Sequence, residues 1–145
     1  MNVHQQGLPT DADVRRLLDI SSRSNDRRAI AAVILILSQG LSLGRLDKVT
    51  WANWDVAGRT LILTSRGGRF VVIPLTDLIT RVLAAIPRTR KTLVFAPPTT
   101  SSPTLGVLFT QLLARAGLSS YTAADFVRWS ELQSPATRLS TATAY

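Results

Sequence analysis

Arginine is the side chain through which this sequence has most chemistry to offer. The chain carries 17 lysines and arginines against 9 aspartates and glutamates, with a formal net charge of +8 and a pI near 11.4. Lys48 and Lys91 are the only lysines, so all the other cations are arginines. A guanidinium presents a flat fork of donors that fits a phosphate, and every phosphate neutralised releases condensed counterions without any need to read bases. The balance points to a polyanionic partner, and Arg45, Lys48, Arg66, Arg69, Arg128 and Arg138 are the candidates to touch it. Other chemistries are poorly supplied. The chain has no cysteine and a single histidine, His4, so thiolate zinc sites, disulfides and most histidine-based metal or hydrolase sites are excluded. No metal and no cofactor is expected. Glu131 is the lone glutamate, and the sequence contains neither a glycine-rich phosphate loop before a helix nor a Gly-x-Ser-x-Gly elbow.

The elements that must position these cations can be read from caps and periodicity. A chain of 145 residues, 46% hydrophobic and 18% charged, suits one domain with one core, spanning 1–145. Its longest apolar run, Ala29 to Leu37, is too short for a bilayer, and the N-terminus lacks the basic and apolar regions of a secretory signal. A cytoplasmic protein is expected. Thr10 followed by Asp11 and Asp13 predicts a helix start, and the helix fades in Ser-Ser-Arg-Ser-Asn. Asn25 or Asp26 opens a second helix, apolar on every side from Ala29 to Leu37 and therefore central, which Gly40 ends. A short helix from Leu43 to Lys48 precedes a strand over Val49 to Val56, then a turn at Ala57-Gly58 and a second strand, RTLILT. Gly67-Gly68 forms a two-residue hairpin turn into a third strand, RFVVIPL, with Arg66 and Arg69 at its tip.

Thr76-Asp77 caps a further helix that ends before Pro87, and the Pro- and Ser/Thr-rich stretch to Pro103 reads as a loop with a short extended piece at TLVFA. Ser102-Pro103 opens a helix from Thr104 to about Ala116, Gly117 closes it, and Thr122 with Asp125 starts the last clear one, which Ser134-Pro135 ends. Trp51 and Trp54, three apart on the predicted strand, fall on opposite faces, one in the core and one at a surface. The fold class is α+β, mainly helical, with one small three-stranded antiparallel sheet.

In order, these pieces are a buried helix, Gly40-Leu41, a short helix, the Trp54-Asp55 pair, a basic hairpin ending in Ile73-Pro74-Leu75, and LLARAGL up to Leu118. That order resembles the catalytic domain of the tyrosine recombinase, or phage integrase, family over roughly the first 118 residues. Beyond that point the chain departs from the family, and the family's separate N-terminal DNA-clamping domain is not expected in it. The resemblance implies a site in which a tyrosine attacks a phosphodiester, two arginines and histidines stabilise the charge, and a hairpin lysine protonates the leaving hydroxyl. Ser42 stands where the first arginine belongs, and Arg45 where the family carries an acidic residue. Arg66 matches the lysine, but arginine is a poor general acid because its pKa stays above about 12.

Two registers are open for the family's His-x-x-Arg. In one, Arg128 is the second arginine and Asp125 takes the histidine position; in the other, Ala124 and Val127 replace both. The second is preferred, because Asp125 already serves a capping box, and in either the histidine is gone. Tyr145 ends a Ser-Thr-Ala-Thr-Ala-Tyr segment that mimics the family's nucleophile but follows too few residues after the second arginine position.

The expected function is therefore a recombinase-like protein that binds duplex DNA through a basic surface and has lost strand cleavage. Two alternatives stand beside it: an active recombinase using Arg66, Arg128 and Tyr145, and an interaction module that forms homo-oligomers through its C-terminal region.

Overall fold

In the computed structural model, residues 7–64, 70–89 and 91–133 are described. The first helix, α1 (Asp11–Ser22), begins on the capping box that the sequence predicts: the Asp13 N–H donates to Thr10 Oγ1 at 3.1 Å and the Thr10 N–H to Asp13 Oδ2 at 3.0 Å. Helix α2 (Arg27–Gln39) starts at Asp26 and ends at Gly40, whose φ of 68° is the left-handed conformation that glycine takes with least strain. Ala29 and every residue from Ala31 to Leu37 are buried, and α1, α4 (Asp77–Ala84), α5 (Leu105–Arg115) and α6 (Ala123–Leu132) all pack on this helix. A helix without a polar face can only be stable when surrounded, and α2 is the axis of the fold.

Between α2 and α4 lie α3 (Leu43–Leu46) and a sheet of β1 (Trp54–Asp55), β2 (Thr60–Thr64) and β3 (Phe70–Pro74), antiparallel in that order. Leu61 pairs with Ile73 and with Trp54, and Leu63 with Val71, which turns Leu61, Leu63 and Ile73 into the core. Ile62 and Val72 pair on the other face, and Val72 and Phe70 are exposed there.

Several boundaries differ from the sequence expectation, each for a local reason. The strand predicted over Val49 to Val56 is a 3-10 turn at Trp51–Asn53 followed by the two residues of β1. Asn53 Oδ1 accepts from both the N–H and the hydroxyl of Thr50, at 2.8 and 2.9 Å, and this closes the turn. Consequently Trp51 and Trp54 do not oppose each other across a strand: their rings pack together, centroids 6.2 Å apart, and the Arg88 guanidinium sits 5.1 Å from the Trp51 ring centre.

The short helix ends at Leu46 rather than Lys48, with Asp47 as its cap. The turn at Ala57-Gly58 extends to Arg59, which has a φ of 54°. The extended piece predicted at TLVFA is a single bridge, Leu93 to Thr50. Thr104, not Ser102, caps α5, its Oγ1 accepting from the Val107 N–H at 3.3 Å. The α6 start agrees with expectation, since Thr122 and Asp125 form a capping box. Gly67-Gly68 and Ser134-Pro135 lie outside the described residues.

One buried cation holds the long loop to the axis. Arg28 is 1% exposed; its Nε and Nη2 donate to the two Asp26 carboxylate oxygens at 3.0 and 2.6 Å, while Nη1 and Nη2 donate to the Phe95 and Pro103 carbonyls at 3.1 and 2.8 Å. A buried guanidinium is tolerable only when paired and saturated in this way.

Candidate nucleic-acid interface

Two adjoining clefts share Arg45. The first, of approximately 490 Å³, is lined by the turn Gln39–Ser42 after α2, by Val71–Ile73 of β3, and by Val127 and Glu131 of α6. The second, of approximately 310 Å³, is lined by Arg45, Lys48, Thr50, Asn53 and Leu63. Local chemistry fixes both walls. Ser42 caps α3, its Oγ accepting from the Arg45 N–H at 3.2 Å, and the turn that follows, with the Lys48 N–H donating to the Arg45 carbonyl at 3.0 Å, sends the two cations to one side.

The first cleft holds few groups that could clamp an anion. Ser42 offers a neutral hydroxyl and Val127 an aliphatic wall, while the Glu131 side chain lies close to the turn, with its Cγ 3.7 Å from where a Cβ would stand on Gly40. Arg45 is the only cation among the described residues of its lining. A carboxylate beside a phosphodiester is repulsive, and one guanidinium does not do the work of two convergent ones. Asp125 is engaged elsewhere, accepting from the Thr122 N–H at 2.8 Å, and Arg128 is exposed on α6 outside this lining. Ala124 lines a separate apolar groove with Leu43, Phe109 and Tyr121.

Arg45 and Lys48 are thus brought together in one cleft, and Arg128 lines neither cleft. Arg66, Arg69, Arg138 and Tyr145 lie outside the described residues. Sequence reasoning missed Glu131 as a cleft wall and Asn53 as a neighbour of the cations. Asn53 had a signal available, the Thr-x-x-Asn spacing from Thr50; Glu131 had none without knowing which side of α6 faces Gly40. Among the described residues there is no cluster of three or more metal-ligating side chains, and no helix is long and apolar enough to cross a membrane.

With this geometry in hand, the chain can be set beside solved structures. No family model and no curated protein matches its sequence. The XerA recombinase superposes with a TM-score of 0.68 at 15% identity, covering 85% of this chain and 48% of that one. The catalytic domain of bacteriophage HP1 integrase gives 0.60 at 16%, covering 85% and 67%. Lambda integrase bound to DNA gives 0.60 at 17%, covering 86% and 49%. The fold is that of the tyrosine recombinase catalytic domain. Its recombinase-fold portion spans about half the length of the XerA and lambda chains. On this recombinase fold, the turn at Gly40-Leu41-Ser42, β3 and α6 line one cleft.

Proposed function

We propose that this chain is a recombinase-fold protein that binds duplex DNA through its basic surface and does not cut it. Support for binding comes from the net charge of +8 and from Arg45 and Lys48 lining one cleft. Arg66, Arg69, Arg128 and Arg138 extend that surface in this reading, and the protein works in the cytoplasm. The observation that carries the loss of cleavage is the composition of the larger cleft, where Ser42, Val127 and Glu131 occupy the walls that a phosphoryl-transfer centre needs positive. Positioning and charge stabilisation are most of what such a reaction requires, and the described residues of this cleft bring one cation, Arg45, to it.

The test is incubation with nicked duplexes that trap a covalent intermediate, read on a denaturing gel, alongside a native binding assay. Retained complexes without a covalent adduct are expected. An adduct that disappears in Tyr145→Phe would overturn the loss of cleavage and establish the enzyme instead.

A further inference from the structure

We propose that Arg45, Lys48 and the side-chain amide of Asn53 form a site for one phosphate group, displaced from the degenerate reaction cleft into the smaller cleft beside it. The orientation of Asn53 is set by its neighbours. Its Oδ1 accepts from the Thr50 N–H at 2.8 Å, and a backbone N–H can only meet an oxygen, so Nδ2 is the atom left to donate elsewhere. Thr50 Oγ1 also bonds Oδ1, at 2.9 Å. Both lone pairs of that oxygen are in use, and Nδ2 donates to none of the described residues. Arg45 and Lys48 form no ion pair among the described residues, whereas Arg16, Arg23, Arg28 and Arg59 are all paired with aspartates.

Among the described residues the lining contains no carboxylate, in contrast to the neighbouring cleft with Glu131. It therefore combines a forked cation, a point charge and a neutral N–H donor around a space of approximately 310 Å³, bounded on one side by the buried Leu63. That donor set suits a tetrahedral oxyanion carrying one or two charges. Three residues along the chain, and one turn of α3, separate Arg45 from Ser42, so the phosphate contact has moved by one helical turn rather than vanished. Assignment of the phosphate to a DNA backbone rests on the function proposed above; the anion chemistry of the site does not.

The experiment uses the full chain, with Arg45→Gln, Lys48→Gln, the double variant, and Asn53→Asp. The last keeps the oxygen that closes the Thr50 turn but replaces the donor with a second acceptor. Duplex affinity is measured as a function of salt, and 15N spectra are followed as inorganic phosphate is added. If the cations share one phosphate, either alone still neutralises it, so each single variant weakens binding with the salt slope nearly unchanged and only the double variant lowers the slope, by about one. Asn53→Asp should weaken binding at least as much, with an unchanged melting profile. Inorganic phosphate should shift the Arg45 Nε–H and Asn53 Nδ2 signals together. Duplex binding with additive slope losses of about two, or with none in the double variant, overturns the shared site while leaving DNA binding in place. Absence of duplex binding with retained phosphate shifts supports the site and overturns its DNA assignment. Absence of both overturns the site.

Discussion

Ser42 and Val127 line the same cleft, Ser42 from the turn after α2 and Val127 from α6. A hydroxyl and an isopropyl group therefore share the walls of that cleft. Ser42 has another duty, since its Oγ caps α3. Replacing it with arginine should separate the two roles. Ser42→Arg is expected to cost about 1 kcal/mol of stability through loss of the cap. It should at the same time steepen the salt dependence of DNA binding by about one phosphate's worth of counterions. Urea unfolding and fluorescence anisotropy measure the two effects on the same sample.

Arg28 is a second place where removing one side chain exposes what it holds. Arg28→Ala leaves the Asp26 carboxylate with only the backbone N–H of residue 28 and the Phe95 and Pro103 carbonyls without their guanidinium donor. Breaking one partner of a buried pair typically costs about 3 to 5 kcal/mol. The paired replacement Asp26→Asn with Arg28→Met should recover part of that loss, because no uncompensated charge stays behind. Urea midpoints at equal slopes decide between these outcomes.

Acid should weaken the fold through two carboxyl groups. The Thr10 backbone N–H holds Asp13 below its ordinary value of 3.8, with Arg16 and Tyr121 adding to the effect against burial. For Asp26, burial pushes upward, yet the hydrogen bonds and charge of Arg28 outweigh it and the net direction is down. A carboxyl with a lowered folded pKa contributes stability that is complete above its unfolded value and is lost as the pH falls through its folded value. These two groups should therefore add no slope between roughly pH 5 and 7 and a decline below pH 4. Asp13→Asn should flatten that decline. Tyr121 has the opposite sign: burial and the bond to Asp13 raise its pKa above 10, so its contribution is lost only as alkaline pH passes the folded value. Unfolding midpoints taken across this range, for the parent and Asp13→Asn, check all three statements.

Much of this was legible in the sequence where the chemistry is local. Thr10 and Asp13, Thr122 and Asp125, and the apolar run from Ala29 to Leu37 announce their elements because capping and burial depend on residues a few places apart. Around Trp51 the same logic favoured a strand, since aromatic residues fit pleated surfaces, and lost to the Thr50–Asn53 bonds that close a 3-10 turn. Arg28 could not have been singled out among so many arginines, because its carbonyl partners lie 67 and 75 residues away. The site was legible as a substitution at Ser42 and as a surplus of arginine. That Arg45 belongs to two clefts, one with Glu131 and one with Lys48, is a fact of packing that spacing alone does not carry.

The most direct test is a salt titration of duplex DNA binding by the full chain, followed by fluorescence anisotropy from 50 to 200 mM monovalent salt. Binding should be clear at the low end and fall by about 40-fold across the range if roughly three phosphates are engaged. Failure to bind at 50 mM, or an affinity indifferent to salt, would contradict the reading of this recombinase fold as a basic DNA-binding protein.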